Sequence, residues 1–102
     1  MIFDKNGQSL SNGNLTIEAG SVTVFEVKIE CRNNFSLFAA VTPDMLIEAR
    51  ALNGENGWTN IETTPINLSD YAGTLQIFEI RLTAGDVPDI TDLAFTLSVA
   101  AL

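Results

Sequence analysis

The fold of this chain is decided by residues 47–58, IEARALNGENGW, and by residues 73–83, GTLQIFEIRLT. Apolar and polar residues alternate in both segments, a doubled Asn/Gly turn ends the first alternating run, and the only tryptophan, Trp58, follows that turn. Alternation with a period of two is typical of strands that bury one face, and Asn-Gly is a strong signal for a tight hairpin turn. These residues predict an all-β sandwich.

Similar segments recur along the 102-residue chain at intervals of about ten residues. No segment keeps a 3.6-residue period, so we expect at most one helical turn, near residues 69–72. We therefore predict an Ig-like antiparallel β-sandwich of seven to eight strands in residues 15–102, with residues 1–14 as an N-terminal arm or edge strand. The predicted strands are residues 15–18, 21–31, 35–41, 45–52, 58–62, 66–68, 73–83 and 92–101, with residues 1–3 as a further short edge strand or a mobile arm.

The alternation also predicts which side chains form the core. One face of each long strand is apolar, and these residues should point inward. Cys31 continues one of these faces, so we expect a small buried hydrophobe and not a reactive thiol. The predicted inner residues are Phe25, Val27, Ile29, Cys31, Phe78, Ile80, Leu82, Leu93, Phe95, Leu97, Val99 and Ala101.

The charge of the chain is strongly acidic. Five Lys and Arg residues stand against thirteen Asp and Glu residues, which gives a formal net charge of −8. The basic residues are scattered, so no basic stripe is present for phosphate or anionic lipid, and we expect neither nucleic acid nor membrane as a partner. Such acidity suits solubility at high copy number or docking on a basic partner.

The sequence offers little catalytic chemistry. It has no histidine and a single cysteine, which removes Ser-His-Asp, Cys-His and most zinc sites. We expect no enzymatic activity, no metal and no cofactor. Two alternatives stay open: calcium binding by Asp86, Asp89 and Asp92, and sugar stacking on Trp58 and Tyr71. Packing in the core or at its rim is the other interpretation of Trp58.

Several apolar residues fall on the faces that the alternation turns outward. Val22 and Val24 share a face with Glu26, and Leu75 and Ile77 repeat this pattern in the later strand. A loop or edge strand could cover them, or they could form a docking patch for another subunit. Phe3 joins them as a candidate, because the N-terminal stretch could add a strand to a neighbouring sheet. The candidate partner-binding residues are Val22, Val24, Leu75, Ile77 and Phe3.

No targeting segment is recognisable in the sequence. The chain opens without a basic region followed by an apolar run, and no apolar stretch reaches 18 residues. We therefore expect a protein that is made and folded in a cytosol.

A family resemblance is carried by the turn and the strand that follows it. The order of an Ile-Glu-Ala strand, an Asn-Gly turn, Gly-Trp and a strand ending Phe-Glu-Ile-Arg-Leu resembles the small Ig-like domains of tailed-bacteriophage structural proteins. The similarity covers residues 35–101, and the chain departs from that pattern in a preceding strand that is Glu-rich instead of Ser-rich. The matching residues are Asn53, Gly54, Gly57, Trp58, Phe78, Ile80 and Arg81.

This resemblance implies a virion accessory protein, and the function that we expect is that of a decoration or cement protein on the outer surface of the phage head. Its partner would be the major capsid protein or another virion protein, and it would act as a homo-oligomer assembled in the host bacterial cytoplasm. Two other functions stay open. One is a tail, neck or baseplate component, and the other is a carbohydrate-binding or adhesion module.

Overall fold

The computed structural model describes residues 2–10, 12–18, 20–41, 45–52, 57–85 and 90–101 of the chain. Within these ranges the chain is built from strands and one turn of 3-10 helix, Ser69–Tyr71. The strands are β1 (Ile2–Phe3), β2 (Asn12–Glu18), β3 (Val22–Glu30), β4 (Phe35–Val41), β5 (Met45–Ala51), β6 (Thr59–Asn60), β7 (Ile66–Asn67), β8 (Leu75–Ala84) and β9 (Ile90–Ala101).

These strands form two antiparallel sheets. The larger sheet has the order β1-β3-β8-β5-β6, and the smaller has the order β2-β9-β4-β7. Strand β8 lies at the centre of the larger sheet, paired with β3 along one side and with β5 along the other. In the smaller sheet β9 is paired with both β2 and β4. The predicted all-β class with antiparallel sheets is confirmed.

The core lies between the inner faces of the two sheets. Phe78, Ile80 and Leu82 of β8 have no exposed surface, and Leu37 and Leu97 are buried on the opposite sheet. Burial of every second residue confirms the alternation that the sequence predicts for β8.

The ends of the core are less completely covered. At one end the half-buried Phe25 packs against the Phe95 ring, with centroids 5.6 Å apart. Val99 is half-buried and Ala101 is exposed, because β9 ends there at the margin of its sheet. The side chain of Leu93, also predicted to point inward, lies outside the described part of the structure.

The strand predicted at residues 58–62 is shorter than expected. It is reduced to Thr59–Asn60, because the chain turns directly afterwards. The Glu62 N–H donates to Asn60 Oδ1 at 3.0 Å, and the Thr64 N–H donates to the Asn60 carbonyl at 2.8 Å. This turn buries Ile61 in the core. The Asn/Gly turn at residues 53–56 lies outside the described residues, while the hairpin pairing of β5 with β6 is present.

The N-terminal residues lie at the edge of the larger sheet. Ile2 and Phe3 pair with Ile29 and Lys28 of β3, and the chain then turns back on itself. Asp4 Oδ1 accepts hydrogen bonds from the N–H groups of Asn6 and Gln8, at 2.8 and 3.0 Å. Strand β2 begins at Asn12, three residues before the predicted Leu15, so it crosses the boundary drawn between residues 14 and 15.

Cys31 continues the inner face of β3 and is buried, as predicted. Its Sγ donates to the Ile29 carbonyl at 3.4 Å. Burial removes the thiolate from water and raises the pKa of the Cys31 thiol. The side chain therefore behaves as a small apolar residue.

Replacing Phe78 by Ala should lower the free energy of unfolding by roughly 3–5 kcal/mol, because a fully buried ring leaves a cavity. Urea denaturation followed by circular dichroism measures this loss. Phe38→Ala is the matched control: its ring is exposed on the other sheet, so its loss should be much smaller. Equal midpoints for the two variants would contradict the assignment of faces.

Replacing Gly13 by Ala should also destabilise the protein. A Cβ at this position would lie 2.6 Å from the Phe95 ring, and Phe95 is its direct cross-strand partner. The ring would have to move, and overpacking of this kind costs about 1–3 kcal/mol. The double variant Gly13→Ala with Phe95→Leu provides space for the methyl group. If Gly13→Ala lowers the free energy of unfolding equally in the wild-type and Phe95→Leu backgrounds, the close approach to the Phe95 ring is not the cause of the destabilisation.

Candidate partner-binding face

The outer face of the larger sheet carries charged residues on β3, β5 and β8, and those of β5 and β8 are paired with one another. The register places Glu48 of β5 opposite Arg81 of β8, and Arg50 of β5 opposite Glu79 of β8. Opposite charges therefore alternate both along and across the strands. Directly opposed pairs of this kind stabilise an antiparallel sheet.

Both pairs are joined by short hydrogen bonds. Arg81 donates to Glu48 Oε1 from Nη2 at 2.7 Å and from Nε at 2.9 Å. Arg50 donates from Nε to Glu79 Oε1 at 3.0 Å. All four side chains are half-buried. The two cations and two anions thus neutralise one another within the face, and we refer to these four residues as the charge network.

Trp58 covers this charge network. Asn60 pairs with Glu48 and Thr59 pairs with Ala49, so continuing the register by one residue brings Trp58 beside Arg50. Its ring centre lies 4.3 Å from Arg50 Cζ and 4.4 Å from Arg81 Cζ. Guanidinium groups at this distance from an indole are attracted by its π-electrons. Each arginine therefore contacts a carboxylate and the same indole.

Trp58 and Tyr71 show no ring contact with each other. Tyr71 packs edge-on against the buried Phe78, with centroids 5.5 Å apart, whereas Trp58 lies over the two guanidinium groups. Trp58 is half-buried at the outer face and does not belong to the core between the sheets. Of the interpretations of Trp58, this position agrees with packing at the rim of the core.

Val22 and Val24 lie at one end of the same face. We refer to them as the valine pair, and 55% and 48% of their surfaces are exposed. Val24 is the cross-strand neighbour of Arg81, so the valine pair borders the charge network directly.

The remaining predicted candidates lie at the other end of the face. Ile77 and Phe3 both neighbour Lys28, and Leu75 is 54% exposed next to Glu30. Leu52 belongs to this group, since it is exposed and its N–H donates to the Ile77 carbonyl at 3.0 Å. We refer to Phe3, Leu52, Leu75 and Ile77 as the leucine patch.

The five predicted residues thus share one face of the sheet but form two groups. Val24 and Lys28 are four positions apart along β3, a distance of about 13 Å. Between them lie Glu26 and its cross-strand neighbour Glu79. A partner that contacts both groups must therefore also cover Glu26 and the charge network.

The sequence did not predict the charge network at the centre of this face, and it did not identify Leu52 as a candidate partner-binding residue. Alternation places Leu52 in step with Glu48 and Arg50, which was the available signal. The pairing of Arg81 with Glu48 depends on register, which alternation within one strand does not specify.

The outer face of the smaller sheet is different. Among its described residues, Phe38, Ala40, Thr96 and Ser98 lie outward, and none of the described side chains on this face is charged. Among the side chains that the structure describes, the charged and apolar features that suit a selective contact are therefore concentrated on the larger sheet.

A metal site is not visible in the described part of the chain, where no three His, Cys, Asp or Glu side chains come together. The carboxylates of Asp86, Asp89 and Asp92, the calcium alternative, lie outside the described residues.

Comparisons with known proteins return no match: no family model, no curated protein and no solved structure corresponds to this chain. The described residues include no helix that is long and apolar enough to cross a membrane. The geometry of the outer face is therefore the basis for a functional proposal.

Replacing Arg81 by Lys should destabilise the fold by about 1 kcal/mol, although the charge is kept. Lysine lacks the planar group that both donates twice to Glu48 and stacks on Trp58. Thermal denaturation followed by far-UV circular dichroism measures the change. Arg32→Lys is the control, because the Arg32 pair with Glu30 spans 3.9 Å and is exposed. Equal effects at both positions would contradict the role of the indole and carboxylate contacts.

Proposed function

We propose that this protein is a non-enzymatic virion structural protein that decorates the outer surface of a tailed-bacteriophage head. It contacts the major capsid protein through the outer face of its larger sheet. The observation that carries this proposal is the arrangement of the valine pair and the leucine patch around a charge network that is already neutralised.

The charge network makes this face suitable for burial under a partner. Covering an unpaired charge is costly, whereas Arg81 and Arg50 each already have a carboxylate and an aromatic ring as partners. The exposed apolar side chains at both ends then contribute the favourable area. A domain of this size offers only a modest contact, so attachment of many copies by symmetry provides the total strength.

The strand order supports an Ig-like domain. The larger sheet follows the A-B-E-D order of Ig domains as β1-β3-β8-β5, and β9 and β4 occupy the F and C positions of the smaller sheet. The position of the last Ig strand, G, is taken by β2, which pairs with β9. Two residues of the phage resemblance, Trp58 and Arg81, are in contact in this fold.

The acidity of the chain is consistent with a position outside the head. A net charge of −8 opposes contact with packaged DNA and keeps many copies soluble in the host cytoplasm before assembly. The same face would also suit a neck, tail or baseplate protein. A carbohydrate-binding module is less well supported, because two guanidinium groups already stack against the Trp58 ring.

The test is sedimentation with emptied heads of the tailed phage whose genome carries the gene. Wild-type protein should pellet with the heads. Leu75→Asp should reduce the bound fraction at least tenfold, because a charge is placed in the leucine patch. Thr63→Asp adds the same charge at an exposed turn outside the face and should bind like wild type.

A second variant carries Val24→Asp and Ile77→Asp together, which places one charge in the valine pair and one in the leucine patch. This double variant should not bind heads. If the folded double variant binds as well as wild type, this face is not the contact. If the wild-type protein does not bind heads at any salt concentration, the proposal of head decoration is wrong. That result would favour a neck, tail or baseplate protein. Glycan binding that is lost in Trp58→Ala would favour the carbohydrate module.

A further inference from the structure

Strand β3 has a partly open edge. It runs from Val22 to Glu30, yet β1 pairs with it only at Lys28 and Ile29. In the part of the chain that the structure describes, no strand pairs with Val22–Val27 on the side away from β8, and no loop backbone bonds to Val22 or Val24.

The main-chain groups of Val22 and Val24 point toward this edge. The ends of the β3–β8 pairing show which residues bond inward: the Ala84 N–H donates to the Ser21 carbonyl at 2.9 Å, and the Cys31 N–H donates to the Thr74 carbonyl at 3.0 Å. In an antiparallel pair every second residue bonds to the same neighbour. The odd-numbered residues of β3 therefore bond to β8, and the even-numbered residues bond to the opposite side.

Asp4, Lys5, Asn6 and Leu10 line an open pocket beside Val24, Phe25 and Glu26, but the strand at this edge itself lacks the features that usually prevent pairing with another chain. Such edges are normally protected by charged residues, proline or a bulge. The segment Val22-Thr23-Val24-Phe25 contains no charge and no proline, and it pairs with β8 in unbroken register. Three of its four residues are β-branched, and both valines are about half exposed.

The segment is also self-complementary. In an antiparallel pair with a two-fold axis at Thr23, Val22 lies opposite Val24 of the second copy, and Val24 lies opposite Val22. Each of these pairs can exchange both main-chain hydrogen bonds. The valine pairs of the two copies then form one apolar cluster on a common outer face, and Glu26 lies opposite Gly20 and not opposite another carboxylate.

We propose that a second copy of this chain occupies the open edge of β3, so that two larger sheets join into one continuous sheet across a two-fold axis at Thr23. Two molecules of net charge −8 repel each other, and this edge lets them meet through an uncharged segment. Both copies use the same edge, so association stops at the dimer. The contact is smaller than the roughly 1,200 Å² of stable interfaces, so the dimer forms only at high concentration.

Sedimentation velocity of the purified chain over increasing concentration tests this dimer, independently of any phage head. Wild type and Val24→Thr should both shift from monomer toward dimer, since Thr keeps the β-branched shape and the N–H group. Val24→Pro should stay monomeric, because it removes an N–H that points to the open edge and is not used in pairing with β8. Val24→Lys should also stay monomeric. It serves as the test variant if Val24→Pro does not fold.

Disulfide trapping tests the register. Thr23→Cys brings two sulfurs to the two-fold axis, where opposed Cα atoms lie about 4.5 Å apart, within the range of a disulfide. Glu26→Cys is the control, because its two copies lie about 20 Å apart across the axis. Wild type that stays monomeric at every concentration, a folded Val24→Pro or Val24→Lys that dimerises like wild type, or equal trapping at both positions would overturn the proposal.

Discussion

The pairing of β8 on both sides fixes the two faces of the larger sheet. Its inner residues, Phe78, Ile80 and Leu82, are fully buried in the core, and its outer residues, Glu79 and Arg81, reach their ionic partners on β5. A slip of one residue would bury the charges and expose the apolar side chains. The hydrophobic core and the charge network therefore require the same register, and each supports the other.

The outer face combines two properties that favour its burial under a partner. Four charges at its centre are paired with one another under Trp58, with the exposed Glu26 beside them, and its two ends expose apolar side chains. The pairing of these four charges lowers the cost of removing the face from water, while the apolar ends favour that removal. The geometry thus suits a protein surface as partner, and the valine pair additionally borders the open edge of β3.

Most of the fold could be predicted from the sequence, because alternation is a local signal. The inner face of β8 and the buried Cys31 follow from it. The single helical turn near Ser69 agrees with the absence of a sustained 3.6-residue period. The environment of Trp58 could not be predicted, since it depends on the register of β8 against the hairpin formed by β5 and β6. The early end of β6 was missed because Asn60 caps a turn with its own side chain, which competes with strand pairing.

The candidate site was predicted in part. Alternation identified outward apolar residues on β3 and β8, but it could not show that Val24 and Ile77 lie at opposite ends of the antiparallel pair. Their separation follows from strand direction alone: the first residues of β3 face the last residues of β8. Leu52 was likewise assigned to a strand end and joins the leucine patch only through its bond to Ile77.

The most direct measurement for the central claim is hydroxyl-radical footprinting of the protein, free and bound to phage heads. We expect Leu75, Ile77 and Phe3 to become protected on binding, while Phe38, exposed on the smaller sheet, keeps its reactivity. Protection of Phe38 with unchanged reactivity at Leu75 and Ile77 would contradict the account, because the contact would then lie on the opposite face of the sandwich.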